Sequence, residues 1–439
     1  MGSRSIQLLA AIFALALCAN FAAADEKAKF AIPPETEIAK TESQLHELYK
    51  SEYTKSPANR RTFARQLLEE AQNSNSDPAS RFVFYREARN VAAGAGDLPT
   101  ALRAIDELSQ LFAIDVTEYK TAAILQAAKA VDDLSKSIAL LREANSLIND
   151  LLAGENFPVI NKLTPPLTNL AAQTRNRHII VGFRNRFAQL KEAQIEFEKL
   201  SAAVAHPPLS DRNGDLAAGK LACFFKNDWE YGLGRMMNCT DARIKDIAAR
   251  DIASPSTPPA QLALANGWWE LAQRQTGYSK TQFQLRARHW YKKAIPALGA
   301  LERPLAEKRI LASVGAAADA RTFAGHAYLF DPTPMTWHEA VLACELAGGH
   351  LVFVNSFQEG EFLVDLCNGQ GSWLGATDEQ EQGKWHWADG SPLEFQNWSP
   401  GEPNNARGVE HWARLERNGR WNDIEAGPYK GIGFICEWE

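Results

Sequence analysis

Eight of the twelve tryptophans in this 439-residue chain lie beyond residue 325, at Trp337, Trp373, Trp385, Trp387, Trp398, Trp412, Trp421 and Trp438. Each such ring buries about 150–250 Å², so a segment this rich in them must enclose a dense core and push its polar groups into loops. Charge divides at the same place: residues 325–439 carry 18 acids and 6 bases, net -12, which leaves +6 for everything before them. One packing solution cannot serve both compositions, so the chain reads as two unlike bodies. Its length allows about three domains. With 45% apolar and 23% charged residues the balance is that of a globular chain rather than a disordered one. The net charge of -6 gives no basic footprint, so nucleic acid is not an expected partner.

The first 24 residues read as a signal peptide: Arg4, an apolar run from Ile6 to Leu17, then Ala22-Ala23-Ala24 before Asp25. The run is too short to span a bilayer, and Leu17 before Cys18 argues against a lipid anchor. Later segments hold no run of 18 apolar residues, so no transmembrane segment is expected in the mature chain, whose predicted location is secreted, periplasmic or cell-surface. Export leaves Cys223, Cys239, Cys344, Cys367 and Cys436 in an oxidising compartment, an odd set in which at least one thiol lacks a partner within the chain.

Residues 25–205 carry a helical pattern. Asp77-Pro78 opens a helix with Phe82, Tyr85, Ala88 and Val91 on one face, and Gly94 and Gly96 stop it. Asp97-Leu98-Pro99 opens the next, bearing Leu102, Ile105, Leu108, Leu111 and Phe112. The pair resembles one tetratricopeptide hairpin, and further helices are expected around Tyr119–Asn149 and Arg184–Leu200, without a clean 34-residue period. A break rich in Pro, Gly and Asp runs from His206 to Gly219. The second helical module, 214–312, resembles one that recurs in secreted planctomycete-type proteins, a resemblance that brings no activity with it. Its Trp268-Trp269 and Trp290-Tyr291 pairs read as core. Cys223 and Cys239 either close a short loop or remain buried thiols. A small-residue linker, Ala312 to Ala320, leads into the acidic body.

In that body Glu402-Pro403-Asn404 and Trp421-Asn422-Asp423 flank Glu410. Three carboxylates, Glu402, Glu410 and Asp423, with the amide oxygens of Asn404 and Asn422, offer five hard oxygen donors, where calcium takes about 6–8. No His or thiolate accompanies them, which speaks against zinc. Together with the strand Tyr328-Leu329-Phe330, a helix bearing Trp337, Ala340 and Cys344, a second helix from about Ser356 to Leu366, the core strand Trp373-Leu374-Gly375 and the closing Phe434-Ile435-Cys436, these motifs resemble the C-type lectin-like domain over residues 325–439. The fold class is therefore multidomain: a mostly α-helical N-terminal region with tetratricopeptide-like hairpins, then an α+β C-type lectin fold.

The resemblance implies a Cys344–Cys436 disulfide, Ca2+ as cofactor, and a cis bond before Pro403. It also implies that Glu402, Asn404, Glu410 and Asn422 grip two adjacent sugar hydroxyls, each amide donating and each carboxylate accepting. The order Glu402 then Asn404 implies mannose, glucose or N-acetylglucosamine specificity, a glycan with equatorial vicinal hydroxyls. The family's inner disulfide is missing, with Trp412 and Ala426 in its place, which makes Cys367 a buried thiol. Asp378 and Glu410 match a second calcium site, but Gln382, Asn405 and His411 stand where carboxylates are usual. No G-x-S-x-G, H-E-x-x-H, C-x-x-C or P-loop occurs, and His46-Glu47 and His338-Glu339 lack a second His, so no enzyme is predicted. The alternative reading is a protein-binding scaffold on which the lectin fold serves as an interaction surface.

Overall fold

The computed structural model describes residues 29–73, 77–205, 213–315 and 319–438. The expected signal peptide at 1–24, the stretch 206–212 and part of the expected linker lie outside the described residues. Two compact units are present, one ending at Val131 and one running from Asp132.

The first unit is helical: α1 (Glu35–Leu48), α2 (Lys50–Tyr53), α3 (Pro57–Asn73), α4 (Pro78–Gly94), α5 (Leu98–Leu111) and α6 (Val116–Ala130). The caps at α4 and α5 arise as the sequence dictates. Asp77 Oδ1 accepts from the Ala79 and Ser80 amides at 3.0 and 3.1 Å, and Asp97 Oδ1 accepts from the Thr100 amide at 3.3 Å. Gly96 takes φ +68°, with the Ala130 carbonyl 3.1 Å from where a Cβ would sit, so only glycine suits this turn. Phe82, Tyr85, Ala88, Val91, Ile105, Leu108 and Phe112 are buried, whereas Leu102 and Leu111 are half-buried at the edge of that core.

The second unit opens with α7 (Leu134–Ala153), α8 (Phe157–Gln173) and α9 (Arg177–Ala205), followed by α10 (Asn213–Phe225), α11 (Trp229–Met236), α12 (Ala242–Ile252), α13 (Pro258–Ala272), α14 (Gly277–Ala294) and α15 (Arg303–Ser313). The break expected as far as Gly219 is shorter: α10 already runs from Asn213, with Asp215 in its first turn, where a carboxylate favours the helix dipole. Gly219 and Gly232 let α10 and α11 touch, since a Cβ on Gly232 would lie 2.4 Å from Cys223 Sγ. Cys223 and Cys239 are free and buried, which resolves their alternative. Trp268, Trp290 and Tyr291 are core. Both indole N–H groups donate to Asp251, at 2.7 and 3.0 Å, and Arg286 Nε donates to the same carboxylate at 2.9 Å.

The lectin-like part holds α16 (Trp337–Leu346), α17 (Phe357–Leu366) and strands β1 (Arg321–Phe323), β2 (His326–Asp331), β3 (His350–Leu351), β4 (Gly371–Thr377), β5 (His386–Trp387), β6 (Trp412–Leu415), β7 (Trp421–Ile424) and β8 (Ile432–Trp438). The sheet order is β1-β2-β8-β4-β6-β7, with β3 on β8 and β5 on β4; β4 and β8 run parallel and the other pairs antiparallel. Pairing of β2 with β8 brings the first and last strands together, and a Cys344–Cys436 disulfide ties α16 to β8. Tyr328, Val352, Leu363, Cys367, Leu374, Trp387, Leu415, Trp421 and Ile435 share one core. Trp337 and Trp373 satisfy their buried indoles on the Leu374 and Met335 carbonyls, at 2.8 and 2.9 Å.

Candidate functional site

The residues expected to hold calcium and sugar sit on the loop between β5 and β6 and on β7. Ser399 N–H donates to the Trp421 carbonyl and Trp421 N–H to the Asn397 carbonyl, both at 2.8 Å, which staples the start of the loop to β7. Glu402-Pro403-Asn404 is thereby carried onto Asn422-Asp423, and the Glu402–Pro403 bond is cis. Asp423 is 1% exposed and anchors the loop. Its Oδ1 accepts from Asn404 N–H at 3.0 Å and its Oδ2 from Asn405 N–H at 2.7 Å. Glu410 is fixed similarly, its Oε2 accepting from Ala406 N–H at 3.0 Å while its own amide donates to Asn405 Oδ1 at 3.0 Å. Asn405, at φ +44°, turns the chain so that both bonds form.

Glu402 is different. Its Oε2 is buried with no hydrogen-bond partner. Burial, then the adjacent Asp423, then Glu410 hold its carboxyl above the usual carboxylate range, while the Asn404 amide pulls the other way. An oriented, unsatisfied carboxylate oxygen beside two further carboxylates is the environment that a hard cation would relieve. Among the described residues no three His, Cys, Asp or Glu side chains group tightly enough to hold a metal alone. An ion here must therefore also draw on the Asn404 and Asn422 amide oxygens, as the expected donor set does. The residues fit calcium by chemistry: all donors are oxygen, and all come from one loop and one strand.

The Asp378 cluster, a partial match to a second calcium site, has its carboxylate engaged by protein. Asp378 is 3% exposed; its Oδ1 faces His411 Nδ1 at 2.8 Å and its Oδ2 accepts from Gly383 N–H at 2.7 Å. Sequence reasoning missed the role of Asn405 as the loop's hinge. The signal lay in the turn formers Asn404-Asn405 and Gly408 surrounding it.

The Lectin C-type domain family model matches residues 333–438. A perlucin-like protein of Mytilus galloprovincialis is 31% identical over 140 residues, 30% of this chain and 88% of that relative. The chain belongs to the C-type lectin domain family. Human "C-type lectin domain family 17, member A" is 40% identical to this lectin over 119 residues, 26% of this chain and 30% of the relative. Across the first curated relatives, the chain spans between about a third and just over half of their length. The carbohydrate-recognition domain of cow CD23, solved in the presence of a GlcNAc2Man3 oligosaccharide, is 34% identical, with 28% of this chain and 94% of that chain covered and a TM-score of 0.27. Membership implies carbohydrate binding, calcium-dependent in general, in a domain that is generally non-enzymatic. No helix among the described residues of this lectin is long and apolar enough to cross a membrane.

Proposed function

We propose that this chain is an exported, calcium-dependent lectin for glycans of the mannose, glucose or N-acetylglucosamine type. The observation that carries the reading is the unpartnered Glu402 oxygen beside Asp423 and Glu410 on one stapled loop. Glu402, Asn404, Glu410, Asn422 and Asp423 would hold Ca2+. When bound there, Ca2+ would supply a Lewis-acidic point for neighbouring sugar hydroxyls. The chain's own residues then sort the hydroxyls: the Asn404 and Asn422 amides donate to them, and Glu402 and Glu410 accept from them. Asp423 and the loop amides keep this set in place before ligand arrives, which lowers the ordering cost of binding.

Export rests on the leader at 1–24 and on the Cys344–Cys436 disulfide, which suits an oxidising compartment. The deciding experiment is calorimetric titration of the full chain with calcium, then a glycan array with and without EDTA. Mannose and N-acetylglucosamine are expected to compete and galactose to fail. Absence of calcium heat, or equal competition by galactose, refutes the assignment.

A further inference from the structure

We propose that the cleft between the start of α9 and the outer side of β2, β8 and α16 is a second, metal-independent binding site, for polysaccharides that carry sulfate or carboxylate groups. The cleft encloses about 1120 Å³, and Arg175, Arg177 and Arg184 line one wall. All three are exposed, and none of them forms an ion pair with an acidic side chain among the described residues.

The acids on the opposite wall are already engaged. Asp331 Oδ1 accepts from the Thr333 amide at 2.9 Å, and its Oδ2 lies 3.6 Å from His178. Glu339 accepts from Asn176 Nδ2 at 3.1 Å and from the Thr336 amide at 2.9 Å. Both acids keep their charge, so the lining sets three guanidinium groups against two carboxylates and stays net positive, beside a lectin domain of net charge -12. An anionic polymer is attracted here and repelled by the carboxylate cluster at Glu402.

Arg177 and Arg184 stand seven residues apart, two helical turns, and so project from one face of α9 about 10 Å from each other. Guanidinium groups bind sulfate and carboxylate in bidentate fashion. Cations spread at this interval suit a chain with recurring anionic groups better than a single ion. The aromatic rings lining the cleft, Phe434 and Trp438, are buried. They offer no face on which nucleic-acid bases could stack, which favours a saccharide polymer.

The test uses the full chain in EDTA, so that it stands apart from the calcium-dependent reading. Calorimetric titration at low ionic strength with heparin and with polygalacturonate should give binding that weakens as salt is added, and dextran should give none. The double variant R177A/R184A, at exposed helix positions where alanine is well tolerated, should bind heparin about tenfold more weakly. Its melting temperature and its calcium-dependent sugar binding should not change. R177K/R184K, which keeps the charge and loses the fork, should fall between the two. Failure of both anionic polymers to bind in EDTA, undiminished binding by the alanine variant, equal binding of dextran, or a DNA duplex binding as tightly as heparin would each overturn the proposal.

Discussion

Asp423 and Glu402 occupy one loop site and carry opposite duties. Asp423 accepts two backbone N–H groups, so Asp423→Ala leaves both amides without partners. It should cost about 1–3 kcal/mol of stability even without calcium and abolish the calcium response, as thermal denaturation with and without EDTA will show. Glu402→Gln removes a charge crowded by two carboxylates. Metal-free stability should hold or rise, while calcium affinity falls at least about tenfold, a loss of about 1.4 kcal/mol; the same two assays separate these variants. The raised Glu402 pKa also fixes a pH dependence. Because the folded, metal-free site holds this proton more tightly than the unfolded chain does, its protonation stabilises the fold at acid pH, and that contribution is lost as pH rises through the raised value. Calcium needs the carboxylate, so its affinity should fall on acidification at a pH above the ordinary glutamate range. Glu402→Gln should flatten that part of the profile in a pH series of titrations.

Among the elements, α12, α13 and α14 are joined through one buried charge. Asp251 accepts from the indoles of Trp268 and Trp290 and from Arg286, whose guanidinium also lies over the Trp229 ring at 4.4 Å. Asp251→Ala strands the part-buried Arg286 cation and two buried indole N–H groups together, and should destabilise the second unit by about 3–5 kcal/mol, measured by chemical denaturation. Helix positions were legible in the sequence wherever caps were local: Asp77 and Asp97 each bond amides two or three residues away, so spacing alone reveals them. The Asp251 hub was not, because its partners lie 17 to 39 residues distant and helical periodicity reports only that an aromatic faces inward. The start of α10 was obscured for a related reason. Gly214 and Gly219 look like breakers until the close approach of α11 gives Gly219 a packing role.

Within the second unit, the acidic lectin part is seated on α7 and α9. Arg142 Nε donates to Glu345 at 2.9 Å and Asn176 to Glu339 at 3.1 Å. A Cβ on Gly182 of α9 would lie 2.8 Å from Leu346 Cβ of α16. Gly182→Ala should therefore loosen this seat, seen as faster limited proteolysis near 313–321, while calcium binding stays intact because the loop site lies elsewhere. The sequence by itself determined the two compositions and the helix caps, which rest on residue chemistry at short range, and it offered five candidate oxygen donors between Glu402 and Asp423. It also pointed to Cys344–Cys436, through a resemblance rather than through spacing. Only the tertiary structure decided that Cys223 and Cys239 stay unpaired, that Asp378 is satisfied by His411 and Gly383, that one Glu402 oxygen lacks a partner, and that three unpaired arginines line a cleft against the lectin sheet. Each of these depends on which distant groups meet. That choice is made when the whole core packs, and no local pattern encodes it.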